Sequence, residues 1–467
     1  MYKFLREIQN KRIHIVGVTG AEGSNILRFL IKNGIGNITT HDLLLENSLE
    51  KSYKLWHKGL TVEERDANFE QFDKDLSKTV FCTKDKYLQD IQSAEIIFVP
   101  QSWRLYKDQN APLWTAKKKN IPFYSLTRLY LDLAPAEIIA VTGTVGKGSV
   151  ANIIYQVLKL TGRKVYFAGN ETWKSQVLDQ FDRMTDKDML ILEVSHRQLQ
   201  DGISRGPHIG VITNLYPNHL DEVTWDEYQK LKISLFEKQK AEDYAVLNWD
   251  IPQLREIGDR LKSKVNYFSA TNKVMNIKSI QEYFSRIMNI KSDQYKLNIL
   301  VSSTVLNIIG IDLPTIINNF PKVRPLPARL EFLGKKSGIG FYDDLKSTTP
   351  WATEEAVAKL GKNTILILGG KTKGINYRDF IAKIFEITKE VILLESELSK
   401  LFQRYLPEQQ LTIFKDLKSA IEFSYQKAKI GDNILLSPSA GFFYTDFIRG
   451  KKSLRKLFTS LPPKEQG

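Results

Sequence analysis

The sequence has 467 residues, of which 42% are hydrophobic and 26% are charged, and its formal net charge is +14. These values predict a soluble globular protein of about two to four domains. The single cysteine, Cys82, excludes a disulfide framework and a cysteine metal cluster and favours a reducing cytoplasm. No signal peptide and no stretch of transmembrane length is visible, so we expect no membrane insertion. The lysines are scattered without interleaved aromatic residues, so we expect no nucleic-acid binding.

Residues 1–134 predict a Rossmann-like α/β domain. A strand over 12–18 leads into Gly17 and two further glycines. An apolar helix over 25–33 follows, and the next strand ends in Asp42. This order is typical of nucleotide-binding folds, in which glycines bring the backbone close to a phosphate. The glycine spacing is irregular, so a βαβ unit packed through its glycines is the alternative. Further strands are predicted at 96–99 and 122–125.

Residues 135–323 predict a central domain built around a glycine-rich loop. The loop, residues 143–149 (GTVGKGS), lies between an apolar strand over 138–141 and an apolar helix over 150–160. Such a loop forms a phosphate cradle, because the glycines and the helix N-terminus point backbone amides at the anion. The loop is shorter than the strict P-loop pattern, so a structural turn is the alternative. The predicted phosphate contacts are Gly143, Thr144, Gly146, Lys147, Gly148 and Ser149.

Two apolar strands of the central domain end in polar residues. The strand over 189–192 ends in Glu193, and the strand over 210–213 ends in Asn214. Strands alternate with helices here, so the sheet should be mostly parallel, with its ligands at the carboxyl ends of the strands. An acid at such an end predicts a metal bound to phosphate, and a carboxylate exposed at the sheet rim is the alternative. Further strands are predicted at 165–168 and 245–247.

Residues 324–467 predict a third domain, which is again α/β. A strand over 339–342 runs into two acids, and a strand over 364–368 runs into residues 369–374 (GGKTKG). Further strands are predicted at 391–394 and 433–436. The predicted architecture is therefore a Rossmann-like N-terminal domain, a central P-loop ATPase-like domain with a mostly parallel sheet, and a C-terminal Rossmann-like α/β domain.

The loop, the acid at the strand end and a third run together resemble the Mur ligase superfamily. The third run is residues 213–221 (TNLYPNHLD), which follows residues 142–147 (TGTVGK) and Glu193. The C-terminal third most resembles the members that add D-glutamate, through residues 344–348 (DLKST) and 435–440 (LLSPSA) and through its GGKTKG run. The resemblance covers nearly the whole chain.

This resemblance implies an ATP-dependent amide ligase. ATP would convert the carboxylate of UDP-N-acetylmuramoyl-L-alanine to an acyl phosphate, and the amine of D-glutamate would then displace phosphate, in peptidoglycan biosynthesis. The implied partners are the UDP-linked muramoyl peptide precursor and D-glutamate. The implied cofactors are ATP and two Mg²⁺ ions. We expect a cytoplasmic monomer.

The resemblance also assigns metal ligands. Ser149 and Glu193 would hold the first magnesium ion, and His219 would bind or orient the ligands of the second. Lys232, on a predicted helix, matches a family lysine that reacts with carbon dioxide to form a carbamate. The carbamate turns a cation into an anion that supports magnesium. The alternatives are a solvated helix lysine at this position, or Lys230 in its place.

Substrate contacts follow from the same resemblance. Arg329 would reach the γ-phosphate, Lys346 would touch phosphate, Asn298 would lie near the adenine, and Asp344 would hold the ribose or the loop geometry. The acceptor contacts would be Thr348 and Lys373. The UDP-substrate contacts would be Gly17, Asp42 and Asn170. The residues expected to act in catalysis are Lys147, His219, Lys232, Arg329 and Lys346.

Several positions depart from the family pattern. Phe442 stands where the family has a serine that binds the side-chain carboxylate of the acceptor. Gln101 lies where a Ser-Pro-Gly turn is usual, and Gly148 after the lysine looks more like the folylpolyglutamate synthases. Two alternatives therefore stay open. One is a superfamily ligase with another acceptor, including a folylpolyglutamate-synthase-like one, and the other is a non-catalytic nucleotide-binding scaffold.

Overall fold

A computed structural model describes residues 3–44, 47–57, 60–170, 176–269, 293–441 and 454–463. The chain forms two compact units. The first comprises Met1–Asn214, Gln229–Val274 and Val301–Val323, and the second comprises Leu215–Tyr228, Met275–Leu300 and Arg324–Gly467. The predicted α/β class with mostly parallel sheets is confirmed. Each of the three predicted domains contains one sheet, and the domain boundaries stay predictions.

The first sheet belongs to the first unit. It consists of β1 (Ile13–Val16), β2 (Ile38–Asp42), β3 (Val80–Thr83), β4 (Ile96–Phe98) and β5 (Phe123–Tyr124). Its helices are α1 (Lys3–Ile8), α2 (Ala21–Lys32), α3 (Leu49–Trp56), α4 (Val62–Leu76), α5 (Ala111–Lys118) and α6 (Leu126–Leu133), with 3₁₀ turns at Lys84–Lys86, Ile91–Ser93 and Trp103–Leu105. All strands are parallel, in the order β3-β2-β1-β4-β5. The order reverses between β1 and β4, which creates the switch point where open α/β sheets bind ligands.

Helix α2 begins at Ala21, earlier than the predicted start at residue 25. Gly23 therefore lies inside the helix, where a Cβ atom would be 2.3 Å from the carbonyl oxygen of Gly17. The glycine lets the first helical turn pack closely on the end of β1, which is a known role of glycine in this kind of fold. The face of α2 that carries Leu27 and Leu30 is buried.

The second sheet also lies in the first unit. It consists of β6 (Glu137–Thr142), β7 (Val165–Gly169), β8 (Met189–Glu193), β9 (Ile209–Ile212), β10 (Tyr244–Asn248) and β11 (Lys264–Phe268). The helices of this part of the chain are α7 (Lys147–Leu160), α8 (His196–Leu199), α9 (Trp225–Glu237), α10 (Pro252–Gly258), α11 (Asp293–Ile308) and α12 (Leu313–Asn319), with 3₁₀ turns at Leu178–Arg183 and Phe320–Lys322. The strands are parallel in the order β11-β10-β9-β6-β8-β7. Every residue of β8 and β9 is buried, as in central parallel strands.

A buried charge cluster ties the loop after β4 to the end of α8. Arg104 donates to both carboxylate oxygens of Asp201, with Nη1–Oδ2 at 2.9 Å and Nη2–Oδ1 at 2.6 Å. The ammonium of Lys117 and the indole Nε1 of Trp103 donate to the same carboxylate, at 2.9 and 3.1 Å. Burial opposes ionisation, but Arg104 and Lys117 hold the pKa of Asp201 below its usual range. The two sheets of the first unit are therefore linked by a satisfied, ionised carboxylate.

The third sheet forms the core of the second unit. It consists of β12 (Glu331–Lys336), β13 (Ile339–Asp343), β14 (Thr364–Leu368), β15 (Glu390–Leu394), β16 (Thr412–Phe414) and β17 (Asn433–Leu436). Its helices are α13 (Pro350–Leu360), α14 (Arg378–Ile387), α15 (Glu397–Tyr405) and α16 (Leu417–Lys427), with a 3₁₀ turn at Glu408–Gln410 and a last helix over 454–460. The order is β12-β13-β17-β14-β15-β16, and β12 pairs with β13 in antiparallel fashion. Within the ranges described, no helix is both long and apolar enough to cross a bilayer.

Candidate active site

Two residues that follow β9, Thr213 and Asn214, pack against the glycine-rich loop and form hydrogen bonds with it. Gly143 adopts a φ of +138°, and a Cβ atom there would lie 2.0 Å from the hydroxyl of Thr213, so only glycine fits. The side chain of Asn214 accepts hydrogen bonds from the amides of Thr144 and Val145, at 3.2 and 2.8 Å. The same side chain donates to the carbonyl of Val145 at 3.0 Å. Asn214 therefore sets the shape of the loop.

The loop ends in a helix N-terminus. Gly146 adopts a φ of +84° as the residue before α7, and the helix begins at Lys147 rather than at the predicted residue 150. Gly148 and Ser149 are consequently in the first turn of α7, where backbone amides lack partners within the helix. The Nζ atom of Lys147 donates to the carbonyl of Thr144 at 3.0 Å. Amides and an ammonium group thus converge at a site suited to phosphate.

Glu193 lies at the end of β8, beside the loop strand β6. Its Oε1 atom accepts a hydrogen bond from Nδ2 of Asn170 at 2.9 Å. Its Oε2 atom is buried and has no hydrogen-bond partner among the residues that the structure describes. A buried carboxylate oxygen without a partner is costly unless a cation completes it. The oxygen donors of Glu193 and Ser149 therefore fit the magnesium ion that the resemblance implies.

Lys232 is buried beneath the loop. It is 1% exposed, and its Nζ atom donates to the carbonyl of Gly143 at 2.7 Å and to the hydroxyl of Thr142 at 3.5 Å. Burial and the charge of Lys147 lower the pKa of Lys232 well below its usual value, and Glu193 opposes this shift. The alternative of a solvated lysine is therefore wrong for this position. It describes Lys230, which is exposed.

The predicted UDP contacts Gly17 and Asp42 lie at the carboxyl ends of β1 and β2 in the first sheet. Gly17 adopts a φ of +66°. The carboxylate of Asp42 accepts hydrogen bonds from the amide and hydroxyl of Thr19, both at 2.8 Å, and from the amide of Leu44 at 2.9 Å. Burial raises the pKa of Asp42, and these donors oppose the rise. Asp42 therefore fixes the glycine turn, and its contact with UDP stays a prediction.

In the second unit, the predicted acceptor residues lie together. The Nζ atom of Lys373 donates to the hydroxyl of Thr348 at 2.9 Å and to its carbonyl at 3.2 Å. Lys373 adopts a φ of +57°, which places it at a tight turn of the GGKTKG run. Next to this turn, Lys371 forms an isolated antiparallel β-bridge with Gly441. Phe442, the expected departure from the family, lies outside the described residues.

Arg329, Asp344 and Lys346 lie on two paired segments. The carboxylate of Asp344 accepts a hydrogen bond from the amide of Leu330, and the amide of Lys346 donates to the carbonyl of Ala328, at 2.8 and 3.0 Å. Burial raises the pKa of Asp344 to about 6, although its hydrogen-bond donors oppose the rise. The Nε atom of Arg329 is buried and meets no hydrogen-bond acceptor in the described part of the chain. Asp344 thus holds the loop that presents Arg329.

His219 belongs to the stretch Leu215–Tyr228 of the second unit. Its Nδ1 atom lies 3.0 Å from a carboxylate oxygen of Glu222, and its backbone has a φ of +58°. The next residue, Leu220, donates its amide to the carbonyl of Lys373 at 2.9 Å. This stretch is therefore hydrogen-bonded to the turn that carries Lys373. Asn298, also in the second unit, is buried in α11.

The predicted site residues thus form two groups, one in each unit. The first group consists of Gly143, Thr144, Gly146, Lys147, Gly148, Ser149, Asn170, Glu193 and Lys232, with Gly17 and Asp42 at the other sheet of the same unit. The second group consists of His219, Asn298, Arg329, Asp344, Lys346, Thr348 and Lys373.

Two family models match this chain. Residues 141–310 match the Mur ligase middle domain, and residues 328–440 match the Mur ligase, glutamate ligase domain. Together these matches span more than half of the sequence. The chain belongs to the Mur ligase family.

Relatives of this Mur ligase include the UDP-N-acetylmuramoylalanine–D-glutamate ligase of Caldanaerobacter subterraneus, which is 27% identical over 97% of this chain and 99% of its own. The enzyme of the same name from a Thermoanaerobacter species is 30% identical over 74% of this chain and 79% of its own. Among solved structures, UDP-N-acetylmuramate-alanine ligase of Thermotoga maritima aligns with a TM-score of 0.59 at 16% identity, over 95% of this chain and 100% of its own. The MurF ligase of Thermotoga maritima, in complex with ADP, aligns at 0.55 and 18% identity, over 84% and 93%. These structures share the fold.

Sequence reasoning missed one cluster in this Mur ligase. Glu22, Gln101, Ser195 and Gln198 form a hydrogen-bonded group between the first-domain glycine turn and the residues after Glu193. The sequence held one signal for this cluster, which is Glu22 itself. An acid in the first turn of a helix after a glycine-rich turn would repel a bound phosphate, so it indicates that this helix N-terminus has a different role.

Proposed function

We propose that this Mur ligase joins D-glutamate to UDP-N-acetylmuramoyl-L-alanine with the use of ATP, in peptidoglycan biosynthesis. The observation that carries the ATP half of the proposal is the phosphate loop with Glu193 beside it, whose buried Oε2 atom has no hydrogen-bond partner among the described residues. The similarity to D-glutamate ligases over nearly the whole chain supports the acceptor. The paired Thr348 and Lys373 support a site for an acceptor carboxylate.

The proposed reaction has two steps, phosphoryl transfer and then amide formation. The carboxylate of the precursor attacks the γ-phosphorus of ATP, and the bond to the β-γ bridging oxygen breaks, which gives an acyl phosphate and ADP. The amine of D-glutamate then attacks the acyl carbon, phosphate leaves, and the amine loses a proton. The loop amides and Lys147 bind the phosphate oxygens and offset their charge. Arg329 and Lys346 would add cationic contacts to phosphate, since a guanidinium forms paired hydrogen bonds to its oxygens.

Magnesium would be held by Ser149 and Glu193, with a second ion near His219. When bound, it supplies charge neutralisation for phosphoryl transfer. Lys232 would carry a carbamate. Its burial and the nearby charge of Lys147 favour the neutral amine, which is the form that attacks carbon dioxide. The product is an anion, which suits a position close to bound magnesium.

The test is phosphate release from ATP in the presence of magnesium and bicarbonate. The assay combines UDP-N-acetylmuramoyl-L-alanine with D-glutamate, L-glutamate, D-aspartate or another amino acid. We expect phosphate release with D-glutamate and with no other amino acid of the panel. We also propose that the enzyme is a monomer and acts in the cytoplasm. Release with none of them would contradict the proposal and favour a nucleotide-binding scaffold.

A second candidate is a Mur ligase with another acceptor. It is favoured by one observation, the aromatic Phe442 at the position where the family has a serine for the acceptor side chain. A phenyl ring donates no hydrogen bond to a carboxylate. Release of phosphate with a different amino acid in the same assay would support this candidate.

A further inference from the structure

A buried carboxylate occupies the switch point of the first sheet. Glu22 lies in the first turn of α2 and is 9% exposed. Its Oε2 atom accepts the backbone amide of Gln101 at 2.8 Å, directly after β4. Its Oε1 atom accepts the side-chain amides of Gln101 and Gln198, at 3.2 and 3.3 Å. Both carboxylate oxygens are therefore engaged by donors from two other segments.

The same contacts lead on to the strand end that carries Glu193. The Oε1 atom of Gln101 accepts the hydroxyl of Ser195 at 2.8 Å. Ser195 and Gln198 form the capping box of α8, with the amide of Ser195 bonded to Gln198 at 2.9 Å and the amide of Gln198 bonded to Ser195 at 3.3 Å. Since α8 begins only a few residues after Glu193, this cap fixes the backbone that leaves β8.

The donors arranged around Glu22 require an acceptor with two oxygens. A carboxylate presents only acceptors, whereas a carboxamide of the same shape turns one oxygen into a donor. With glutamine at this position, one amide group would face the N–H donors of Gln101 and Gln198. The buried group would then lose a hydrogen bond and gain a repulsive contact. The neighbours of Glu22 therefore require two acceptor oxygens at this position, and their hydrogen bonds oppose the rise in its pKa that burial causes.

We propose that Glu22 is a positioning residue for the magnesium carboxylate Glu193, which it reaches from the first domain through Gln101 and the capping box of α8. The inference depends on the part of the proposed function that places magnesium at Glu193, and not on the identity of the acceptor. Residues that orient a metal ligand through hydrogen bonds change metal affinity by about 10- to 100-fold when they are replaced.

The experiment measures ADP binding to the full chain by calorimetry, once with magnesium and once with a chelator. We expect Glu22→Gln to weaken ADP binding about tenfold with magnesium and to leave binding in chelator unchanged. A general defect in folding would weaken both. Glu63→Gln, which removes an exposed acid of α4, is the charge-matched control and should follow the wild type in both conditions.

A double-mutant cycle completes the test. Ser195→Ala breaks the same chain of contacts further on, so Glu22→Gln and Ser195→Ala together should weaken magnesium-dependent binding no more than the stronger single change. Equal loss in magnesium and chelator, no loss in either, or additive effects of the two changes would each overturn the inference. The amino-acid panel above tests the acceptor separately, so failure of the proposed ligase reaction remains distinguishable from failure here.

Discussion

The ammonium nitrogen of Lys232 lies 2.7 Å from the carbonyl oxygen of Gly143, in the first residue of the phosphate loop. A fully buried lysine next to the cation Lys147 is an unfavourable place for a second positive charge, and its pKa falls accordingly. The lowered pKa favours the neutral form of this amine, which lies beside the phosphate loop.

Lys232→Ala should lower the rate of phosphate release about a hundredfold, because the site loses the proposed carbamate anion. Added acetate or propionate should restore part of the activity, since a small carboxylate fits the space that the side chain leaves. The comparison variant is Lys230→Ala, which changes an exposed lysine of the same helix and should be fully active. Full activity of Lys232→Ala without any added acid would contradict the carbamate.

Glu193→Gln keeps the shape of the side chain and removes its charge. The expected loss of activity exceeds about a hundredfold, because the change affects the proposed magnesium ligand itself and not only the residues that orient it. Titration with magnesium should show that the variant needs a higher concentration for half-maximal rate. Asn170→Ala, which removes the partner of Oε1 only, should show a smaller shift in the same direction. An unchanged magnesium requirement in Glu193→Gln would argue against metal binding here.

Lys373→Ala should raise the KM for D-glutamate by about 10- to 100-fold and leave the KM for ATP near the wild-type value. The reason is the loss of the charged hydrogen bond that we propose between Lys373 and the acceptor, worth about 1.5–3 kcal/mol. The nearby Lys371→Ala provides the control, since Lys371 is half-exposed and pairs with Asp221 at 2.8 Å. Steady-state kinetics with varied D-glutamate distinguish the two variants.

The stacked pair His14 and His41 predicts acid sensitivity. Burial lowers the pKa of His14 to about 4 and that of His41 to about 3, against 6.5 in the unfolded chain. The unfolded state therefore binds more protons below pH 6.5. The stability that comes from the neutral rings is complete above that pH and is lost as the pH falls towards 4, by up to about 1.4 kcal/mol per pH unit for each ring.

The variant His14→Phe/His41→Phe removes both partners of the 2.8 Å nitrogen-nitrogen contact at once, so no buried group is left without its partner. Urea unfolding between pH 7 and 4.5 should show a flatter dependence of the unfolding free energy on pH in this variant. His208→Gln, which changes a histidine just before β9, is the comparison variant, and the double variant should be flatter than it. Parallel curves for all three proteins would refute the role of the pair.

Asp201→Asn should destabilise the first unit by about 3–5 kcal/mol, because it removes the charge that pairs with the largely buried Arg104 and turns one acceptor oxygen into a donor. The comparison variant is Lys32→Gln, which removes an exposed ion pair between Nζ of Lys32 and Oδ2 of Asp182, 2.9 Å apart. This change should lower the free energy of unfolding by less than about 1 kcal/mol. Thermal unfolding of the two variants measures the difference. A small effect of Asp201→Asn would mean that the linked loops are held mainly by other contacts.

Residues with a strong local pattern were predictable. The glycine-rich loop, the apolar strand before Glu193 and the strand before Asn214 appear as expected, because parallel central strands read as continuous apolar runs. The start of α2 was missed, since Gly23 lowers helix propensity and only its close approach to Gly17 explains its place in the helix. Strand β12 (EFLGKK) was also missed, because its charges and its glycine do not resemble a strand.

Side-chain environments were less accessible from sequence. For Lys232 the sequence left a solvated helix lysine open as the alternative to the carbamate, and for Glu22 it made no prediction, because only the packing of distant segments buries these two side chains. The periodicity of a sequence predicts which face of a helix is apolar. It does not predict which charged side chain is buried by a segment that is distant in the sequence. The pairing of Thr348 with Lys373 likewise depends on a turn whose geometry is set by the strands around it.

The stretch Leu215–Tyr228 belongs to the second unit although the residues on either side of it belong to the first, and this affects where the protein can be divided into fragments. A fragment that stops at Val323 would keep this stretch and lose the partners of Leu220 and Asp221, which are Lys373 and Lys371. A fragment that starts at Arg324 would lack the stretch altogether. Neither half contains all the segments of one unit, so shuffling between homologues should exchange 215–228 and 275–300 together with 324–467.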